Sequence, residues 1–363
     1  MRAVRISIAV AAVAVASTLV ATAPADAHTT RKTSPATTVL TTAIGAPFNL
    51  DVRHGRILVA DGAGQIGAVE ADGSVSTVVG DVPGASGIAT SRNGKSMAYT
   101  TSVVEGETTI TASGLVITGP KGTIQVDTLA YEQANNPDGA IQYGVTNPDS
   151  CVTNTLTNAG FPVSYTGAID SHAYSVAAYH GGWVVADAGA NALLRVSRSG
   201  KVSTLAVLPA HPTAITQAAA DAFGLDACAV GVTYAFESVP TDVEVGPDGF
   251  LYVTTLPGGP EDASLGARGK VFRVNPYSGR AVAIASGLLG ATNLAFSRGG
   301  LYVTELFAGK VSLIRHGRVS SFLELPGALA VEAGPRGDLY VATGIYGPPS
   351  VVRVQTGGRG WRH

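Results

Sequence analysis

Charge is scarce in this chain. Asp, Glu, Lys and Arg together make up 14% of its 363 residues, and the net charge is −2. A nucleic-acid partner would need clustered Lys and Arg, so that class is excluded. Cysteine is limited to Cys151 and Cys228, and methionine to two residues. After residue 27 no apolar run is long enough to cross a bilayer, which needs about 20 residues. The ordinary hydrolase signals are missing too: there is no G-x-S-x-G elbow and no H-E-x-x-H pair.

The N-terminus reads as a targeting segment. Arg2 and Arg5 form a positive start, Ile6 to Val20 is apolar, and Ala25-Asp26-Ala27 is a small-x-small cleavage site. These are the parts of a signal peptide over residues 1–27, cut after Ala27. The arginines are not adjacent, so the Sec route is expected, with secretion outside the cell. Residues 28–36 read as a flexible leader. An oxidising compartment favours pairing Cys151 with Cys228; two buried free thiols are the alternative.

What is abundant points to sheets. The chain holds 45 Gly and 19 Pro, and much Val and Thr. GPDGFLYV (246–253) returns as GPRGDLYV (334–341). Aligned on that phrase, related hairpins appear at 48–61, 86–101, 174–187, 239–255, 291–305 and 328–343. Each is a short alternating strand, a Gly-containing turn and a second strand. A second hairpin follows most copies, giving units of four strands over about 37 residues, the signature of a β-propeller. The last unit ends after SVVRV (350–354) without a fourth strand. TTVLTTAIGAP (37–47) resembles VSTVVGDVPGA (75–85), so residues 37–43 are expected to supply it. The fold expected is all-β: a six-bladed β-propeller of the NHL/TolB-like kind over 37–356, closed by an N-terminal strand, with 357–363 as a tail. Closure removes exposed sheet edges.

The first strands of the units start near Asn49, Gly87, Ser175, Asp242, Asn293 and Ala330. Excess residues fall at about 130–171, 209–238, 102–109 and 256–268. In an up-and-down blade all four places lie on one face, which marks a working face; neutral drift in tolerant loops is the alternative. Cys151 and Cys228 lie in the two longest insertions, where a bridge would tie them into a lid.

Read in register, Asn49, Ser175, Asp242 and Asn293 stand at first-strand entrances, and Asp61, Asp187 and Glu305 at second-strand exits. With His172 they are the candidate ligand-binding residues. Such oxygens suit Ca²⁺ or another divalent cation in the central channel, with Asn49, Asp242 and Asn293 as candidate ligands. Capping of the following turn is the competing role for the acidic residues. Asp51, Glu244 and Glu332 fall further along the first strands and line a wet channel or are satisfied by water. The segment NNPDGAIQYGVTNPDS (135–150) reads as turn-forming, because it lacks the ordered ligands of a calcium loop.

YEQANNPDG (131–139), the stretch 174–209 and VPTDVEVGPDGFLYVTTLPG (239–258) closely resemble the ScyD/ScyE family of exported propellers. The likeness continues through GKVFRVNP (269–276) and NLAFSRGGLYVTE (293–305) and so covers most of the chain after residue 27. The resemblance implies a six-bladed exported propeller and little chemistry. In lactonase-type members of the wider superfamily a central cation is held by acidic and Asn side chains. Asn49, Asp242 and Asn293 take that part by analogy, although the first unit's entrance carries no matching Glu. The leading expectation is a monomeric binding or scaffold module for a small molecule, glycan or surface protein at the loop-rich face, without a catalytic residue. The alternative is a metal-dependent hydrolase of lactones or esters, of the gluconolactonase type.

Overall fold

The computed structural model describes residues 34–106 and 109–356. The signal segment, most of the leader and the tail anticipated above lie outside them. Elements are numbered in chain order from β1 (Thr37–Thr41). The first antiparallel sheet is β2 (Pro47–Arg53), β3 (Arg56–Asp61), β4 (Gln65–Val69) and β5 (Val75–Val79). The second is β6 (Ile88–Thr90), β7 (Met97–Glu105), β8 (Thr109–Gly119) and β9 (Gly122–Asp127). An inserted stretch follows, with α1 (Thr128–Asn135), β10 (Gln142–Gly144), α2 (Ser150–Asn158) and β11 (Ser164–Thr166).

The third sheet is β12 (Ala173–Tyr179), β13 (Gly182–Asp187), β14 (Ala192–Val196) and β15 (Val202–Val207). A second insertion carries β16 (His211–Ala214), α3 (Gln217–Phe223) and β17 (Thr233–Phe236). Then come β18 (Pro240–Val245), β19 (Leu251–Thr255), β20 (Gly269–Val274) and β21 (Ala281–Leu288). The next sheet is β22 (Ala291–Ser297), β23 (Gly300–Glu305), β24 (Lys310–Arg315) and β25 (Arg318–Glu324). The last repeat is β26 (Ala328–Ala333), β27 (Leu339–Thr343) and β28 (Ser350–Val354). Strand β1 pairs antiparallel with β28, so residues from the start of the described chain supply the fourth strand of its last sheet.

Sequence alternation explains how these sheets stack. Adjacent Val184 and Val185 on β13 are both fully buried, but on opposite faces. Val185 packs with Leu115, Ile117 and Val126 of the second sheet, while Val184 packs with Val243, Leu251 and Val253 of the fourth. Burying each contributes roughly 1.5–3 kcal/mol. A polar residue at either position would face a core, so one strand enforces contact with two neighbours. Similar apolar layers lie between the other successive sheets. Another joins Leu50 and Val59 of the first sheet to Ala330, Ala342 and Val351 of the last.

The two long insertions were expected as a loop lid. They instead build a sheet of their own, in the order β11-β10-β17-β16, so that each insertion supplies two strands. Val152, Leu156, Ile215, Ala219 and Tyr234 form its core, and the Cys151–Cys228 disulfide ties α2 to the short turn at Ala227–Ala229. The bridge is compatible with an oxidising compartment. Asp149 caps α2 by accepting from the Val152 N–H, and Asp127 caps α1 by accepting from the Ala130 N–H. The insertion near 102–109 is no loop either: it lengthens the β7–β8 hairpin, pairing Ser102 with Ser113 and Glu105 with Thr109. Among the described residues no helix is long and apolar enough to cross a membrane.

Candidate functional site at the first-strand entrances

Five of the six first hairpins share a β-bulge at the same place: Pro47/Asn49, Ala173/Ser175, Pro240/Asp242, Ala291/Asn293 and Ala328/Ala330. A bulge re-aims the side chains that follow it. Four of the expected entrance residues, Asn49, Ser175, Asp242 and Asn293, therefore leave their strands in equivalent register, and the structure draws three of them together. Oδ1 of Asp242 accepts from Ser175 Oγ at 2.5 Å and from Asn49 Nδ2 at 3.3 Å. Oδ2 accepts from the Leu294 N–H at 3.0 Å. Burial pushes the Asp242 carboxyl up to about 6 despite these donors. Asn293 turns its oxygen to the Val331 N–H at 2.8 Å.

These bonds bear on the cation expected at Asn49, Asp242 and Asn293. Both oxygens of Asp242 and the oxygen of Asn293 already accept protein donors, and Asn49 presents its amide nitrogen. Among the described residues no three His, Cys, Asp or Glu side chains converge as a metal cage. In this arrangement Asn49 and Asp242 belong to one hydrogen-bond set with Ser175, while Asn293 bonds the Val331 N–H.

Further along the same strands lie Asp51, Glu244 and Glu332. Glu332 is pushed up to about 8, first by burial and then by the charge of Asp51. Glu244 is also pushed well up, by burial and then by Glu332 and Asp242. Asp51 accepts from Thr90 Oγ1 at 2.7 Å and pairs with Arg53 at 3.4 Å. These strands thus carry an acidic cluster, with Arg53 paired to Asp51, in which burial and mutual repulsion raise Glu244 and Glu332.

An aromatic cluster lies at the same bulges. Phe48 and Tyr174 meet edge to face at 6.2 Å, and His172 meets Tyr174 the same way at 5.5 Å. His172 lies 3.5 Å from Ser102 Oγ through Nε2, and burial holds its ring down to about 4, so it is neutral at pH 7. Glu261, from the long loop after β19, is raised by burial and acts electrostatically on Tyr174. Sequence reasoning missed Phe48, Tyr174 and Glu261. The first two sit at the bulge, where period-2 counting assigns the wrong face.

The remaining candidates do different work. Asp61 accepts from the N–H groups of Gly45, Ala46 and Ala63 at 3.0, 2.7 and 3.0 Å. Burial opposes its charge, but the Ala46, Gly45 and Ala63 bonds prevail and hold it below the ordinary carboxylate range. Asp187 accepts from Ser171 Oγ and from the His172 and Ala190 N–H groups at 2.7, 2.7 and 3.1 Å. Glu305 accepts from the Leu289 N–H at 2.7 Å and from Ser312 Oγ. In all three sheets the carboxylate ending the second strand grips the segment that enters the first. Asp61, Asp187 and Glu305 thus all clamp the backbone entering the first strand, and Asp61 and Asp187 also cap the following turn through the Ala63 and Ala190 N–H groups.

On the opposite face a cleft of about 1200 Å³ lies among the short turns and includes Arg92, Lys95, Lys121, His180 and Arg198.

No family model matches the chain, and no curated protein matches it. Solved structures do. A putative oxidoreductase (glucose dehydrogenase) from Thermus thermophilus is 16% identical, with a TM-score of 0.54 over 89% of this chain and 100% of that one. A second glucose dehydrogenase is 11% identical, with a TM-score of 0.55 over 88% and 99%. The soluble aldose sugar dehydrogenase of Escherichia coli in its apo form is 11% identical, with a TM-score of 0.53 over 89% and 100%. At such identities the likeness defines the fold alone. It is an all-β architecture of the propeller type.

Proposed function

We propose that this chain is an exported, six-bladed, ring-closed propeller of the ScyD/ScyE kind that works as a binding module, taking a sugar-like or glycan ligand at the channel mouth. The observation that carries the reading is an aromatic cluster close to a buried carboxylate. Buried Tyr174 meets half-buried Phe48 and neutral, half-buried His172 edge to face, and the hydrogen-bonded carboxylate of Asp242 acts on Tyr174. Aromatic faces and edges give contact area, and a few fixed polar groups set orientation, as small-molecule sites require. The inserted sheet, the long hairpin and the loop carrying Glu261 rise on this side and would supply selectivity. The pairing of β1 with β28 and the apolar layer between the first and last sheets support closure. Closure would make the mouth rigid, so that little ordering is lost on binding.

Calorimetric titration of wild-type protein and of Tyr174→Ala with a panel of oligosaccharides tests the site. Binding by wild type that weakens at least roughly tenfold in the variant is expected, as for loss of an aromatic anchor. Binding unchanged in Tyr174→Ala removes the mouth as the site. Lactone or ester turnover that disappears in Asp242→Ala would replace the binding reading with the hydrolase one.

A further inference from the structure

A basic cleft opens at the turn end of the strands, away from the bulges that carry Asp242. Its lining includes Arg92 and Lys95 from the β6–β7 turn, Lys121 from the β8–β9 turn and Arg198 from the β14–β15 turn. No Asp or Glu lines it, although the chain as a whole has a net charge of −2. The cations are scattered along the sequence. They meet because antiparallel pairing puts the first and third turns of a sheet at the same end. Local sequence holds each one outward. Asn93 Oδ1 accepts from Ser91 Oγ at 2.9 Å and from the Lys95 N–H at 3.1 Å. That side-chain-closed turn leaves Arg92 and Lys95 exposed. Pro120 in GPKG presets the next turn, on which Lys121 is exposed.

No carboxylate answers these four cations. The ion pairs among the described residues join Arg53 to Asp51, Arg273 to Asp248, Lys310 to Glu305 and Arg353 to Asp338. Arg198 lies across the β12–β13 turn instead, donating through Nε to the Gly181 carbonyl at 2.5 Å. A Cβ on Gly181, whose φ is +77°, would stand 2.1 Å from Arg198 Nη2, so glycine there makes room for the guanidinium. The basic strip continues past the cleft. A Cβ on Gly94 would stand 3.1 Å from the His54 ring, so the β2–β3 turn with His54 and Arg56 adjoins it. The cleft lining also includes apolar Ile117, Ile124 and Trp183.

We infer that this cleft binds an anionic polysaccharide, a sugar polymer bearing sulfate, carboxylate or phosphate groups. A cleft lined by charge of one sign concentrates ions of the other, and bound anions relieve the repulsion among the four cations. Arg and Lys donate to sulfate, carboxylate and phosphate oxygens alike, Arg in bidentate fashion. A sugar polymer also brings apolar C–H faces, which suit Ile124 and the Trp183 ring. Its repeating charges suit a strip that continues onto the β2–β3 turn. A membrane surface fits less well: none of the exposed large hydrophobic side chains among the described residues lines the cleft as an anchor. The inference is independent of the ligand proposed near Asp242 and Tyr174, because different residues at the other end of the strands carry it.

The test titrates the full chain with heparin, a sulfated polysaccharide, by calorimetry at about 50 and about 200 mM NaCl. Wild type should bind at the lower salt and weaken by about one to two orders of magnitude at the higher, as counterion release at roughly four contacts requires. Lys95→Gln/Lys121→Gln should lose at least roughly tenfold in affinity. Both lysines are exposed, so the fold survives the exchange. Lys270→Gln/Lys310→Gln removes the same charge at the other end of the strands and should bind like wild type. Uncharged dextran should not bind; if it does, charge is not what the cleft reads. No heparin binding at the lower salt overturns the inference, and so does an equal loss in the two double variants. Polyphosphate, a DNA duplex or phosphatidylglycerol vesicles bound as tightly as heparin, at equal charge, overturn the polysaccharide as the partner. Heparin binding lost in Tyr174→Ala but kept in Lys95→Gln/Lys121→Gln would place the polymer at the first-strand entrances instead, so the two readings fail separately.

Discussion

Ser175 donates its hydroxyl to Asp242 Oδ1 at 2.5 Å across a sequence separation of 67 residues, joining the innermost strands of two neighbouring sheets. Asn49 of a third sheet and the Leu294 N–H of a fourth bond the same carboxylate. One side chain thus fixes the mutual positions of four strands. Asp242→Ala would strand all three donors in a buried place. We expect it to lower unfolding free energy by about 2–4 kcal/mol, measured by urea titration. Asp242→Asn keeps one acceptor and sheds a charge that burial disfavours, so its loss should stay below about 1 kcal/mol. Equal stability of Asp242→Ala and wild type would show that the carboxylate organises nothing.

The acidic cluster of Asp51, Glu244 and Glu332 predicts a pH dependence with a definite sign. Glu332 titrates near 4.5 when unfolded and near 8 when folded, and Glu244 is displaced in the same direction. Between those limits the folded chain holds protons that the unfolded chain has released. Stability therefore falls as pH rises from about 4.5 to about 8 and levels off above. Melting measured across that window in EDTA should show the decline, and Glu332→Gln should flatten part of it. A melting temperature that instead climbs steadily over the window would contradict the placement of Glu332 and Glu244 side by side.

Asp61 and Thr255 occupy the same register, opposite Pro47 and Pro240, yet should respond in opposite ways. Asp61→Ala would free three backbone N–H groups and cost about 2–4 kcal/mol. The hydroxyl of Thr255 is buried without a partner, so Thr255→Val should be neutral or stabilising by up to about 1 kcal/mol. Chemical denaturation of the two variants decides the matter. A costly Thr255→Val would mean that its hydroxyl has a partner after all.

How much of this could be read from the chain follows from where period-2 logic holds. GPDGFLYV and its copies place β18–β19 and β26–β27 within a residue or two, because alternation and turn chemistry coincide there. The likeness of TTVLTTAIGAP to VSTVVGDVPGA correctly pairs β1 with β28. The insertions resist the same reading. TLAYEQAN has no apolar stripe and is helical through the Asp127 cap and its neighbours. The strand Gln142–Gly144 is three residues long and finds its partners in both insertions, a pairing that no local pattern announces. The split of the candidate residues into a set bonded around Asp242 and a clamp set was equally hidden. Asp61, Asp187 and Glu305 look like Asp242 as letters, and only their bonds to preceding backbone N–H groups separate them.

The disulfide should matter locally before it matters globally. Cys151 and Cys228 are 77 residues apart, and closing such a loop stabilises by roughly 4 kcal/mol in the chain-entropy model. Most of the chain inside that loop nevertheless has its own support, because β12 to β15 are packed between the neighbouring sheets. The inserted sheet has less: its strands β10 and β11 are three residues each, and its core is separate from the layers between the repeats. Elements with few buried contacts open first. In Cys151→Ala/Cys228→Ala, hydrogen exchange should therefore speed up in β10, β11, β16 and β17, while Val184 and Val185 on β13 keep wild-type protection. Exchange that accelerates equally in β13 would show the inserted sheet and the repeats to be one cooperative unit. Unchanged exchange in β10 and β17 would show that the bridge adds nothing to packing already sufficient.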